Sequence, residues 1–177
     1  RHGVHSETGC ERPGALVPRA AGPFNYPSEL VSDPAGDLYV SDGYRNARVH
    51  RFAPDGQLKR SWGEPGKTAP NHFHLPHSLL VHAGRVYVCD RENHRIQVCT
   101  TEGQPLTMWT DLQQPMDISI DSEGVFYVSE GRAGGPSARI SVLDQTGAVL
   151  ARFDCRGSGH GSWVDAHGDI YLGVGDP

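Results

Sequence analysis

Four related triplets, Leu38-Tyr39-Val40, Val86-Tyr87-Val88, Phe126-Tyr127-Val128 and Ile170-Tyr171-Leu172, recur along the chain with their tyrosines 48, 40 and 44 residues apart. A fixed period of that length marks a repeat architecture, in which one supersecondary unit is stacked on copies of itself. Ahead of each triplet stands a related stretch: PSELVSDPAGD (27–37), PHSLLVHAGR (76–85), PMDISIDSEG (115–124) and GHGSWVDAHGD (159–169). In each, a glycine-containing turn leads into the tyrosine, which reads as strand, turn, strand. After each of the first three triplets comes a second pair of alternating runs, as in ARVHRF and QLKRSWG around the turn PDG. Each repeat is therefore expected to be four short antiparallel strands.

A four-stranded unit of about 44 residues cannot bury both of its faces alone, and radial stacking around a channel solves that problem. The expected fold class is all-β, a β-propeller of four-stranded antiparallel blades. A β-sandwich would lack the fixed period, and no stretch holds a 3.6-residue apolar repeat long enough for a helix. The blades are expected at about 24–66, 73–111 and 112–157, with a partial one at 158–177. Residues 1–23 carry no repeat signal and read as a connection from a preceding blade. Three copies and the first strands of a fourth fall short of a closed ring, so the sequence reads as part of something longer.

The 22 Gly and 13 Pro are spread along the 177 residues, as many short strands joined by turns require. A net charge of −5 with scattered Lys and Arg gives no footprint for a nucleic-acid backbone, and no apolar run approaches a membrane span. The cysteines, Cys10, Cys89, Cys99 and Cys155, do not fix a redox compartment, and nothing assigns a location in the cell. In a hairpin turning at 90–94, Cys89 faces about residue 95, which leaves Cys99 roughly 13 Å further along at about 3.3 Å per residue, too far for a disulfide. Gly157, Gly159 and Gly161 do not make a phosphate loop, because no helix follows.

The string YVCDRENHRIQV (87–98), with LPHSL (75–79) and Trp62-Gly63, has the NHL repeat pattern. That pattern says only propeller, since NHL proteins include ligases, scaffolds and enzymes. A narrower resemblance lies in the order SDGYRNARVHRF, SWGEPG, FHLPHSL, DRENHRIQ over residues 41–97, which is similar to the catalytic core of the peptidyl-α-hydroxyglycine α-amidating lyases. The resemblance implies a six-bladed, zinc-containing propeller that splits a peptide ending in α-hydroxyglycine into the peptide amide and glyoxylate. It covers the first two blades closely and the others only as generic repeats.

Carried over by that resemblance, His77 in Leu-Pro-His-Ser-Leu and His160 in Gly-His-Gly match two zinc-ligand histidines, Tyr44 in Asp-Gly-Tyr the catalytic tyrosine, and Arg91 in Asp-Arg-Glu-Asn the active-site arginine. The family's third zinc histidine and a further arginine correspond to sequence before residue 24 and have no counterpart here. Two positions depart from the pattern. Tyr87 and Val98 stand where the family has a hairpin disulfide, and Gly161 stands where it has an acidic residue that helps bind calcium, which argues against a structural calcium.

His77 and His160 both fall at the first residue of an innermost strand, with Ser28 and Met116 at the same place in the other blades. Alternate blades of a six-fold ring stand about 120° apart, so a third histidine on the blade before the first seen here would complete a trigonal zinc site with one open position. Zinc on the substrate hydroxyl would favour the alkoxide, Tyr44 would serve as base, and Arg91 would grip a carboxylate or carbonyl. His72, His74, His82 and His167 read as solvated turn or edge residues, and nothing places His2 or His5 near the channel. The polar side chains of Asp-Arg-Glu-Asn also have an ordinary use, tying down a hairpin.

Three functions compete. The first is the zinc lyase, acting on a small-molecule or peptide substrate. A second is a non-catalytic NHL propeller that presents loops to a protein or ligand, which would have no reason to place histidines on alternate inner strands. A lactonase-like hydrolase would hold calcium through acidic and amide side chains, and the set Ser28, His77, Met116, His160 suits zinc instead.

Overall fold

A computed structural model describes residues 8–9, 12–22, 24–132, 137–155 and 158–175. The chain forms the all-β blades that the repeat predicts. The first sheet is β1 (Glu29–Ser32), β2 (Leu38–Asp42), β3 (Arg48–Phe52) and β4 (Leu58–Trp62), in that order and antiparallel. A short parallel pair, β5 (Glu64–Pro65) and β6 (His72–Phe73), leads to the next blade and has no counterpart in the repeat pattern. The second sheet is β7 (Pro76–His82), β8 (Arg85–Asp90), β9 (Arg95–Thr100) and β10 (Pro105–Trp109), with one 3₁₀ turn at Arg91–Asn93. The third is β11 (Pro115–Ile120), β12 (Phe126–Glu130), β13 (Ala138–Leu143) and β14 (Val149–Cys155), and β15 (Ser158–Val164) with β16 (Ile170–Gly175) makes a two-stranded fourth. Among the described residues no helix is long and apolar enough to cross a membrane.

Local chemistry sets the turns. Asp33, Asp121 and Asp165 each accept backbone N–H bonds from two and four residues on, while Gly36, Gly124 and Gly168 take the left-handed conformation that closes the loop. The triplet tyrosines Tyr39, Tyr127 and Tyr171 then donate their hydroxyls to the same three aspartates. The second blade turns instead at Ala83-Gly84, and Tyr87 packs its ring against Trp109 and Phe126.

The core lies between blades. One apolar cluster joins Tyr39, Val49 and Trp62 of the first blade to Phe73, Leu79, Val86, Val88 and Cys99 of the second. A second joins Tyr87, Cys89, Ile96, Val98 and Trp109 to Ile118, Phe126, Val128 and Leu143. The second blade thus supplies a wall to both cores, so each blade leans on its neighbour for burial. The innermost strands follow one another around the axis, β7 between β1 and β11, and β11 between β7 and β15. They leave a cavity of about 310 Å³ lined by Glu29, Leu79, Asp117, Ser119 and Trp163 among others.

The cysteines are as the hairpin geometry required. Cys89 lies opposite Ile96, Cys99 opposite Val86, and both are buried free thiols, as is the less buried Cys155. Tyr87 and Val98 are direct cross-strand partners. His2, His5, Cys10 and Gly157 lie outside the described residues.

Candidate functional site

The inner strands carry the site through a repeated irregularity. In β7 the pairing with β8 runs Pro76 to Asp90 and then Ser78 to Cys89, which leaves His77 as an extra, unpaired residue. Met116 is skipped in the same way in β11, and His160 in β15. The histidines are therefore bulged second and third residues of their strands, where the sequence pattern put them at the start. A bulge turns a side chain out of the regular alternation, so an edge strand can aim it into the channel.

In the first three blades an acidic residue at the end of the second strand anchors the approach to this position from behind. Asp42, Asp90 and Glu130 accept the backbone N–H of Asn25, His74 and Gln113, each three residues before the bulge position. Asp90 also accepts from Asn93, Arg95 and Gln97, at 2.8–2.9 Å. The Asp-Arg-Glu-Asn turn is tied down by its first and last residues, as its ordinary reading predicts. Val174 occupies the register position of these acids in the fourth sheet.

His77 is 6% exposed, and its Nδ1 lies 2.6 Å from the carbonyl oxygen of Met116. A carbonyl can only accept, so Nδ1 carries the proton and Nε2 presents a lone pair. Burial pushes the His77 pKa down to about 4, helped by the charges of Arg91 and His160 and opposed by the Met116 bond. The ring is neutral at pH 7. A neutral imidazole with one nitrogen donated to a fixed acceptor is the form in which histidine binds a metal.

The Tyr44 hydroxyl lies 3.0 Å from His77 Nε2 and 3.4 Å from His160 Nε2, and the two imidazole rings stand 5.2 Å apart at 78°. Three of the four expected site residues therefore meet at one point. The loop that carries Tyr44 is positioned by close contact and by the segment before the first blade. An ideal Cβ on Gly43 would stand 2.2 Å from the Pro76 carbonyl oxygen, so only glycine lets this loop press against the start of β7. From the outside, Gly14 N–H donates to Tyr44 O at 2.8 Å and Thr8 Oγ1 to Arg45 O at 2.7 Å, while Asn46 Nδ2 donates to Ala21 O at 2.6 Å. Val17, from the same segment, is buried in the first inter-blade core.

Arg91 begins the 3₁₀ turn, with its N–H on Leu75 O at 3.1 Å. Its Nε is buried without a hydrogen bond and lies 3.5 Å from Glu92 Oε1. Its charge reaches His77 but it does not join the Tyr44 contact. Of the histidines read as solvated, His82 and His167 are exposed, whereas His72 and His74 are half-buried and His74 Nε2 is buried without a partner. Among the described residues no three His, Cys, Asp or Glu side chains converge on a common metal position. Gly43 stands inside the Asp-Gly-Tyr string, but the Met116 carbonyl is backbone and leaves no mark in the sequence.

The NHL repeat family matches residues 24–52 and 73–99. The chain is 38% identical over 101 residues to peptidyl-glycine alpha-amidating monooxygenase A of Xenopus laevis, a match covering 50% of this chain and 11% of that protein. It is 34% identical over 92 residues to peptidyl-alpha-hydroxyglycine alpha-amidating lyase 1 of Drosophila melanogaster, covering 47% of this chain and 17% of that protein. In fold it is similar to a streptogramin B lyase structure, with a TM-score of 0.64 at 15% identity over 87% of this chain and 50% of that one. The chain carries NHL repeats in propeller-type blades and is similar to the amidating lyases over about half of its length, and it spans a small part of the curated relatives it matches.

Proposed function

We propose that this chain supplies two zinc ligands and the catalytic tyrosine of a lyase that cleaves a peptidyl-α-hydroxyglycine-like carbinolamide to an amide and glyoxylate. The observation that carries the reading is the convergence of the Tyr44 hydroxyl with both imidazole Nε2 atoms, one of them fixed as an acceptor by the Met116 carbonyl. Those residues fit zinc: His77 and His160 offer the imidazole nitrogens it favours, and a third histidine on a preceding blade, as the resemblance implies, would complete the set. When bound, zinc supplies a Lewis acid that lowers the cost of ionising the substrate hydroxyl.

The remaining steps fall to the chain itself. In the reaction the hydroxyl proton leaves as the carbon–nitrogen bond breaks, the hydroxyl oxygen becomes the aldehyde oxygen of glyoxylate, and the departing amide nitrogen gains a proton. Tyr44 moves that proton, since its hydroxyl stands at the meeting point of the two histidines. Arg91 provides the cation for the carboxylate that becomes the acid group of glyoxylate. His77, held neutral, keeps its Nε2 free for a ligand instead of a proton.

Tyr44→Phe in the full-length protein is expected to abolish glyoxylate release while zinc content, measured by mass spectrometry, stays at the wild-type level. Undiminished turnover would remove Tyr44 from the mechanism. A full-length wild-type protein with neither zinc nor glyoxylate release would leave a binding propeller instead.

A further inference from the structure

Strand β11 runs between the two histidine-bearing strands, and its residue after the bulge, Asp117, reaches both. Asp117 Oδ1 accepts the Ser78 hydroxyl at 2.6 Å and its neighbour's amide, Ile118 N–H, at 2.9 Å. Its Oδ2 accepts Ser162 N–H at 2.6 Å. Ser78 is the residue after His77, and Ser162 follows His160 by two. Met116, the residue before Asp117, holds His77 Nδ1 through its carbonyl. Two consecutive residues of one strand therefore grip the histidine strands on either side.

We infer that Asp117 is a positioning residue that sets the separation of the His77 and His160 Nε2 atoms through its bonds to Ser78 and Ser162. The inference rests on the zinc reading for its purpose but on the geometry alone for its action. The first blade reaches β7 by other means, Ser28 Oγ donating to Pro76 O at 2.9 Å and Ser41 Oγ to His77 O at 3.3 Å, and the carboxylate bridge itself is not repeated at the equivalent places. Among the described residues, Glu29 at the matching position of β1 accepts the amide of Leu30 next to it and nothing from another blade. Gly161, the matching residue of β15, has no side chain, and an ideal Cβ there would stand 3.8 Å from Asp117 Oδ2, so nothing intrudes between the carboxylate and β15. The carboxylate bridge lies where two imidazoles must be held at a fixed spacing. Charged acceptors make the stronger hydrogen bonds, which suits a tie that must fix position.

Four forms of the 177-residue chain test this: wild type, Asp117→Asn, Ser78→Ala and, as a control on the same strand, Ser119→Ala, whose hydroxyl has no hydrogen-bond partner. Asparagine keeps the size and one acceptor, so it can hold Ser78 but not Ser162 N–H as well; the Ser78 variant breaks the other half. Cobalt(II) titration, followed by visible absorption, is expected to show about 10–100-fold weaker binding and an altered band in Asp117→Asn. A smaller loss is expected in Ser78→Ala and none in the control. Wild-type affinity and spectrum in Asp117→Asn would overturn the inference. If the wild type takes up no cobalt, the zinc reading fails, and imidazole NMR signals of the metal-free chains decide the positioning role. Asp117→Asn then shifts the His160 ring signals and the control does not; unmoved signals overturn it. Should Asp117→Asn fail to fold, Ser78→Ala decides by the same readings at His77.

Discussion

The second and fourth blades carry the same bulged histidine on the same inner strand, yet they hold it by different means. In the second, His77 is buried, its Nδ1 is fixed on a carbonyl, and Asp90 anchors the approach to the strand with four donors. In the fourth, His160 is exposed between two glycines and Val174 takes the acid's register position. The lesson is that register alone places a side chain, while the layers around it decide how firmly. One histidine is pinned by its own blade and the next. The other depends on its neighbour, through Ser162 and Asp117.

The triplet tyrosines give this comparison its largest test. Tyr87 is 3% exposed and lies in ring contact with Trp109 and Phe126, whereas Tyr171 is 53% exposed, against Trp163 and the Asp165 carboxylate. Tyr87→Ala removes a ring from the centre of a packed inter-blade core and is expected to cost about 3–5 kcal/mol in chemical denaturation. Tyr171→Ala at the same repeat position is expected to cost about 1 kcal/mol or less. Equal losses would mean that the fourth sheet is as deeply packed in solution as the second.

His77 sharpens the contrast through pH. Its folded pKa of about 4 lies below the ordinary histidine value of 6.5, so between these pH values the unfolded chain binds the extra proton and the folded chain does not. The neutral ring's contribution is thus complete above pH 6.5 and is lost as pH falls toward 4. Between pH 7 and 5 that amounts to roughly 2 kcal/mol. Urea unfolding of the wild type and His77→Gln at the two pH values measures it: the wild type is expected to lose about that much more. Parallel losses would mean that the ring is hydrated and not desolvated between the blades.

Much of this was legible because it depends on period and alternation. The tyrosine spacing predicted the sheets, and the matched positions of His77 and His160 put both imidazoles at one end of the channel, where the structure brings them to Tyr44. What escaped depends on contacts that side-chain identity does not encode. The Met116 carbonyl that orients His77 is backbone, and any residue at 116 would offer it. Residues 1–23 have no repeat and read as a connection, yet Gly14 and Thr8 brace the Tyr44 loop and Val17 fills the first core. Arg91 shows the opposite limit. Its motif is plain, but the structure uses Asp90 and Asn93 for the turn and leaves the guanidinium Nε without a hydrogen bond.

Two glycines make the finest test, because one presses on the start of β7, the other lies within β15, and only the first is confined. A methyl on Gly43 would meet the Pro76 carbonyl oxygen at 2.2 Å and its nitrogen at 3.1 Å, so either the loop or the start of β7 must yield. The approach to the strand is held by Asp90, which accepts His74 N–H at 2.8 Å, and this leaves the loop to move and to draw Tyr44 away from His77. Gly43→Ala is therefore expected to cost about 1–3 kcal/mol and to shift the His77 ring signals as the 3.0 Å contact opens. Gly161 has Asp117 Oδ2 at 3.8 Å as its nearest atom and no positive φ, so Gly161→Ala is expected to stay within about 0.5 kcal/mol of wild type. If Gly43→Ala proved as harmless as Gly161→Ala, the approach to β7 would have to be as pliant as that to β15, and the anchoring carboxylate would no longer explain why His77 is the fixed member of the pair.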